Sequence, residues 1–291
     1  MKRIFSALTV CLLALTSANA QGNKGKHVLD YHVGPDIQQG TNIIRHYDYQ
    51  NRTLKHQPVR EDDVFWHKEY ISAINLKLKN NQPLYFPTYP DLYRKSFVQH
   101  IFDAVIKSKI IQAYDDQYFD EKLSGEEVAS RLYRIDTVEV EDWNTGAIVL
   151  QPDTINVLPG DIHEILIREE RFFDKKRGVM DSRIIGVCPV ALVENVETGE
   201  YEKQQLFWFY YPSARPMLAN ANIWNRYNNA ERMTMDEFFL KRLYTAVIKS
   251  ESNMQNRSIF EYANYRKLDQ LLEAERIKNE IRNFEHDLWF Y

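Results

Sequence analysis

The densest pattern of apolar residues lies between residues 161 and 212. Three runs rich in β-branched and aromatic residues are separated there by short segments that contain glycine, which is typical of an antiparallel meander. The second run, from Ile184 to Val193, is apolar on both faces, and so is the third, from Leu206 to Tyr211. Such strands must be covered on both sides. We therefore expect this sheet either to lie between helices or to leave one aromatic face for another protein.

The segments before the meander carry helical spacing. Apolar residues recur every three to four positions over residues 62–78 and again over residues 92–111, which predicts two helices. Three prolines between them predict an extended crossing at residues 84–86. Ser124 and Glu127 form a capping box, which predicts a short third helix to Leu132.

The remaining elements follow from alternation and capping signals. Residues 137–142 alternate like a half-buried strand, and residues 147–150 predict its hairpin partner. Prolines after Tyr211 predict a break in regular structure. Thr234 and Glu237 form a second capping box, which predicts a helix over residues 235–250.

The pentapeptide Ala-Val-Ile-Lys-Ser occurs twice, at residues 104–108 and 246–250. It indicates either a coincidence between two amphipathic helices or a genuine half-repeat.

Residues 262–288 predict one long, charged amphipathic helix with a narrow apolar stripe. Such a stripe suits a helix that lies on a partner, and it also suits a helix packed along its own domain. The stripe consists of Leu268, Leu271, Leu272, Ile277, Ile281, Phe284 and Leu288.

The domain organisation follows from these elements. Residues 1–20 have a basic start, an apolar run and a small-residue cleavage site, which predicts a signal peptide and an exported protein. Residues 21–60 are polar and rich in glycine and predict an extended or disordered arm. Residues 61–259 predict an α+β core domain, with helices at 62–133, a mostly antiparallel sheet at 136–212 and the helix at 235–250. Residues 260–291 then predict a C-terminal interaction helix.

Charge and cysteine content narrow the function. Loss of Lys2 and Arg3 with the signal peptide takes the formal net charge from −4 to −6, which argues against nucleic acid as a partner. Cleavage leaves Cys188 as the sole thiol, so no intramolecular disulfide can form. Cys188 lies in an apolar strand and is interpreted as a small buried hydrophobe rather than a reactive thiol.

The titratable residues predict no catalytic, cofactor or metal site. The sequence has no nucleophile elbow, no His-Glu-x-x-His zinc motif and no phosphate-binding loop. The histidines at 27, 32, 46 and 56 lack ligand-like spacing. The acidic residues from Asp115 to Glu121 lack the regular spacing of a calcium loop. We expect no small-molecule substrate.

A contact surface is the remaining hypothesis. The charged block around Arg168 and Arg171 is either a salt-bridged surface between subunits or a solvated hairpin turn. With the aromatic strand and the C-terminal stripe, it supplies our candidate protein-interface residues: Arg168, Arg171, Phe207, Phe209, Tyr211, Leu268, Leu272, Ile281 and Phe284.

Two blocks of this sequence resemble the GldN/PorN proteins of the type IX secretion and gliding-motility machinery. The first runs from Arg168 to Val190 and the second from Arg232 to Ser250, and residues 62–66 and 83–88 belong to the same resemblance. The family implies a non-catalytic periplasmic ring subunit, without cofactor, held at the inner face of the outer membrane through a partner. It implies contacts with a GldK/PorK-type outer-membrane lipoprotein, with a GldM/PorM-type inner-membrane motor, and between copies of the chain. The alternative is an envelope enzyme or a peptidoglycan- or glycan-binding module that grips sugar with an exposed aromatic sheet.

Overall fold

A computed structural model describes residues 51–89, 95–141, 148–194, 201–224, 233–255, 257–263 and 266–288. Residues 52–291 form one compact unit. The predicted signal peptide, most of the predicted arm, and residues 142–147 and 195–200 lie outside the described residues. No helix in the described part of the chain has the length and apolar character needed to cross a membrane.

The described residues form twelve strands and seven α-helices, and the predicted α+β class is confirmed. The strands are β1 (Val64–Asn75), β2 (Ala113–Tyr114), β3 (Lys122–Leu123), β4 (Tyr133–Glu141), β5 (Ile148–Asn156), β6 (Ile162–Asp174), β7 (Val179–Glu194), β8 (Tyr201–Gln205), β9 (Trp208–Tyr210), β10 (Asn222–Ile223), β11 (Met233–Thr234) and β12 (Ala246–Glu251). The helices are α1 (Gln82–Tyr85), α2 (Phe97–Phe102), α3 (Gly125–Leu132), α4 (Tyr211–Leu218), α5 (Met235–Leu240), α6 (Ile259–Tyr262) and α7 (Lys267–Asp287). A π-helical turn, Asp103–Lys107, continues α2, and 3-10 turns lie at Glu61–Asp63 and Pro159–Asp161.

The main sheet is antiparallel and has the order β12-β1-β6-β7-β9-β2-β3, with β8 paired to the same edge of β7 as β9. The predicted meander is present as β6 to β9. The hairpin predicted before it is β4–β5, which forms a separate two-stranded sheet with nine residue pairs. The main sheet also recruits β1 and β12 from outside the predicted range of 136–212.

Two hydrophobic clusters lie on one face of this sheet, as the strand register shows. The larger cluster packs α2, α3, α4 and α5 against Ile74, Ile165 and Val187. The smaller cluster packs α6 and α7 against Tyr70 of β1 and Ile248 of β12. Strand β1 therefore contributes to both clusters.

The opposite face carries Gly186 of β7 and Trp208 of β9 and is covered there by the loop that contains Phe119. The ring of Phe119 lies so close to Gly186 that an added Cβ would be 2.8 Å from Phe119 Cζ and 3.3 Å from Trp208 Cε3. The central strands are thus covered on both sides, by helices on one face and by a loop on the other.

Several predicted helices were wrong in type or length. Residues 64–75, predicted as helix, form β1. The prediction was wrong because the strand is bulged at Ile71/Ser72 and buries consecutive residues from Ser72 to Ile74, which obscures the alternation of a half-buried strand. The predicted extended crossing contains α1, with Pro83 in its first turn, where a missing N–H costs nothing. Of the predicted helix at 92–111, the described residues from 95 onward form only α2 and the π-helical turn.

The second half of the chain shows two further corrections. The helix that begins at the Thr234 capping box ends at Leu240, and residues 246–251 form the edge strand β12. Residues 213–218, predicted to be irregular, lie in α4, which begins at Tyr211 and again has a proline in the first turn. The first copy of the repeated pentapeptide lies in the π-helical turn, which ends at Lys107, and the second copy lies in the strand at 246–251. The two copies are therefore not equivalent parts of a half-repeat.

Candidate functional site

Arg168 ties three segments of the protein together. Its Nε and Nη2 donate to Glu69 Oε2 at 3.0 and 2.7 Å, and its Nη1 donates to the carbonyl oxygen of Gln117 at 2.7 Å. The guanidinium also stacks on the ring of Tyr118, 5.3 Å from the ring centre. These contacts connect β1, β6 and the Phe119 loop. Because only 14% of its side chain is exposed, Arg168 does not form an open contact surface.

Arg171 belongs to a buried polar cluster on the helix-covered face. Glu169 is 4% exposed and accepts from Arg171 Nη2 at 3.2 Å and from Arg242 Nη2 at 2.5 Å. The cluster also contains two buried donors without a hydrogen-bond partner among the described residues, Arg171 Nε and the hydroxyl of Tyr244. Burial raises the pKa of Tyr244 to about 12, so its hydroxyl stays protonated.

The aromatic strand predicted as an interface lies in the core, which corrects that prediction. Phe207, Phe209 and Tyr211 are 1%, 0% and 4% exposed. Phe207 contacts the ring of Phe102, and Tyr211 packs on Phe239 of α5. These aromatic side chains fill the space between the sheet and its helices, and they offer no exposed platform for a sugar polymer.

The hydroxyl of Tyr211 contacts a buried ion pair between Arg215 and Asp236, which the sequence did not indicate. Tyr211 donates to Asp236 Oδ1 at 3.1 Å, and Arg215 donates to the two oxygens of Asp236 at 2.9 and 3.1 Å. Both charged side chains are 7% exposed. Burial and the neighbouring carboxylate raise the pKa of Tyr211 well above its usual range. In the sequence, Asp236 is recognisable only as an acidic residue in the first turn of a capped helix. That position gave no reason to expect a buried arginine partner.

Helix α7 presents two apolar stripes on opposite sides, whereas the sequence was interpreted as one stripe. Ile277 and Ile281 are 1% and 5% exposed and pack in the smaller cluster, and Phe284 stacks on Trp66 with ring centres 4.9 Å apart. Leu268 and Leu272 are 65% and 60% exposed. At about 100° per residue, they lie on the side of the helix opposite Ile277.

The exposed stripe on the first half of α7 consists of Leu268, Leu271 and Leu272, which we call the leucine stripe. Leu271 is 54% exposed. Helix α7 therefore packs on its own domain with one side, as one of the two alternatives predicted, and leaves an apolar side open. Contact of the leucine stripe with a partner stays a prediction.

One group of described residues has the composition of a metal site. Ligand atoms of His67, Glu69 and Glu170 lie within 4.8 Å of one another on the neighbouring strands β1 and β6. Arg168 already donates two hydrogen bonds to Glu69, and His67 lies 3.7 Å from Glu170. This positive charge in contact with Glu69 opposes a cation at the same place.

The acidic segment after β2 is held as a structural loop. Asp115 pairs with Arg131, and Asp116 Oδ1 accepts from the backbone N–H of Asp120 at 3.2 Å. Of the four histidines weighed as ligands, His27, His32 and His46 lie outside the described residues.

A comparison with family models gives a match over most of the chain. A family model described as gliding motility associated protein GldN matches residues 59–290, which include every described helix and strand. No curated protein matches the chain. The match confirms the resemblance carried by the blocks at 168–190 and 232–250. The chain therefore belongs to the GldN family of gliding motility associated proteins.

Proposed function

We propose that this protein is a non-catalytic structural subunit of the type IX secretion and gliding-motility apparatus. The observation that carries the proposal is the family match over residues 59–290, which covers the folded body rather than one short motif. In the proposed role the subunit forms part of a periplasmic ring with other copies of itself. It contacts a GldK/PorK-type outer-membrane lipoprotein and a GldM/PorM-type motor domain, and it passes load between them.

The proposed location follows from the N-terminal sequence. Residues 1–20 carry the pattern of a cleavable signal peptide, so the mature chain begins at Gln21 in the periplasm. It is held at the inner face of the outer membrane by its lipoprotein partner.

The leucine stripe supports a role in protein contact. An exposed apolar stripe with leucines at positions i, i+3 and i+4 is the pattern by which an amphipathic helix binds a groove in another protein. Of the nine interface residues predicted from the sequence, Leu268 and Leu272 remain the most accessible, so we assign the contact to them rather than to the buried aromatic strand.

The test is size-exclusion chromatography with light scattering, on the mature protein alone and mixed with the soluble part of the lipoprotein. We expect a stable complex of the two proteins. Leu268→Ser with Leu272→Ser should weaken the complex by at least tenfold, the loss of about 1.4 kcal/mol in binding free energy.

Leu158→Ser is the matched control, because Leu158 is 50% exposed and lies outside both α7 and the N-terminal arm. A wild-type protein that stays monomeric and ignores the lipoprotein would overturn the proposed function. A complex that forms equally well with the double variant would refute only the assignment to the leucine stripe.

A further inference from the structure

The residues that precede the sheet lie against the folded body as a strap, which we define as residues 52–60. Arg183 Nη2 donates to the carbonyl oxygen of Gln57 at 2.5 Å, and Arg177 Nη1 donates to its side-chain oxygen at 3.2 Å. Seven of the nine strap residues are exposed. Few contacts and high exposure are the properties of a segment that opens at low cost.

The strap meets the body at the buried ion pair. His56 lies at the rim of a cavity of about 30 Å³ that is also lined by Tyr211, Arg215, Asp236 and Arg242. That volume is enough for a water molecule, since about 10–15 Å³ suffices. His56 is thus the strap residue that lines this cavity together with the charged groups of α4 and α5.

Positive charges outnumber negative charges around the contact between the strap and the body. Every charged residue of the strap is basic, namely Arg52, Lys55 and Arg60. The body offers Arg183 and Asp181 from β7, Arg215 from α4, Asp236 from α5 and Arg242 after α5. Asp236 is already paired with Arg215, and Arg183 has no carboxylate partner among the described residues.

A proton on His56 would therefore add a fourth positive charge to the strap beside two arginines. Partial burial lowers the pKa of His56, the charges of Arg215 and Arg183 lower it further, and Asp181 and Asp236 act in the opposite direction. Because the pKa is lower when the strap is closed than when it is open, closure is favoured above the ordinary histidine pKa of about 6.5 and is weakened as the pH falls below it.

We propose that the strap is an acid-sensitive latch, closed over the Arg215–Asp236 pair when His56 is neutral and released from the body when His56 is protonated. The latch governs only residues 52–60, and the core of the body does not depend on it. The proposal stands whether or not the protein assembles into a ring.

Limited digestion with trypsin tests the latch on the full mature chain. The strap contains cleavage sites after Arg52 and Lys55, and Arg257 lies in an exposed loop far along the chain that serves as an internal reference. The ratio of strap cleavage to cleavage after Arg257, read by mass spectrometry, cancels the pH dependence of trypsin itself. We expect this ratio to rise about two- to threefold between pH 7.5 and pH 5.5, the size expected for an exposed charge–charge interaction.

Two variants separate protonation from simple contact. His56→Gln cannot be charged and should keep the ratio low and equal at both pH values. His56→Lys is charged throughout and should keep the ratio high at both pH values; for this variant only cleavage after Arg52 is counted, because the new lysine is itself a trypsin site. Added salt should reduce the rise in the wild-type protein, because screening weakens repulsion. A flat ratio in the wild type, or an unchanged rise in His56→Gln, would overturn the proposal.

Discussion

Replacing Asp236 with alanine should be among the most damaging single changes in this protein. The substitution leaves Arg215, whose side chain is 7% exposed, without its carboxylate, and it removes the acceptor of the Tyr211 hydroxyl. Removal of one partner from a buried ion pair costs about 3–5 kcal/mol, because the other charge stays buried without compensation. For a compact unit of this size each kcal/mol lowers the midpoint temperature by about 2–4 °C, so we expect a drop of roughly 10 °C.

The measurement is urea unfolding followed by tryptophan fluorescence, which gives the free energy of unfolding directly. Glu273→Ala is the control for ion pairs in general, because its partner Arg276 is 56% exposed, and the expected loss is about 0–1 kcal/mol.

A triple variant tests the mechanism rather than the size of the loss. The substitutions Tyr211→Phe, Arg215→Met and Asp236→Leu together remove the buried ion pair and the hydroxyl that donates to it. Apolar replacement of a buried ion pair is often neutral. We expect the triple variant to regain most of the stability that Asp236→Ala loses. If it is as unstable as the single variant, or if Asp236→Ala costs less than about 1 kcal/mol, the cost does not come from an uncompensated buried charge.

Three further predictions concern the core and its titratable groups. Gly186→Ala should cost about 1–3 kcal/mol in urea unfolding through the clash with Phe119, and Phe119→Leu in the same chain should recover part of it. Ile277→Ala should cost about 2–5 kcal/mol because it empties part of the smaller cluster, whereas Leu272→Ala on the exposed side of α7 should stay within about 0.5 kcal/mol. Burial lowers the pKa of His100, so the free energy of unfolding should decrease as the pH falls below about 6.5, and His100→Gln should reduce that decrease.

The local signals in the sequence predicted the parts of the fold that local physics decides. The capping boxes at Ser124 and Thr234 fix the first residues of α3 and α5, because each box satisfies backbone N–H groups within four residues. The meander is equally visible, because β6 and β7 are long and joined by a short turn.

Tertiary contacts decided the rest. Ala-Val-Ile-Lys-Ser follows an α-helix at 104–108 and forms a strand at 246–250, where β1 supplies the hydrogen-bond partners. No property of the five residues distinguishes the two outcomes. The same limit explains why β1 was predicted as a helix, since its burial is set by two clusters that a single segment does not reveal.

The candidate interface residues could be only partly predicted, because their burial also depends on tertiary contacts. An apolar aromatic run indicates burial or contact, and the sequence does not tell which helices will cover it. Phe207 and Phe209 were therefore assigned to a surface that the helices occupy. The opposite sides of α7 could have been separated by helical geometry, since Leu268 and Ile277 differ by nine residues, which is half a turn beyond two full turns.

The order of strands in the main sheet also constrains how the chain folds. The edge strand β12 pairs with β1, although some 170 residues separate them in sequence. Contacts between distant parts of a chain are slow to form, because a long loop must close first. While the C-terminal part is still missing during synthesis, β1 presents a bare backbone edge of the kind that recruits other chains. We expect a protein truncated before Ala246 to aggregate. In the intact protein, pairing of β12 with β1 covers this edge.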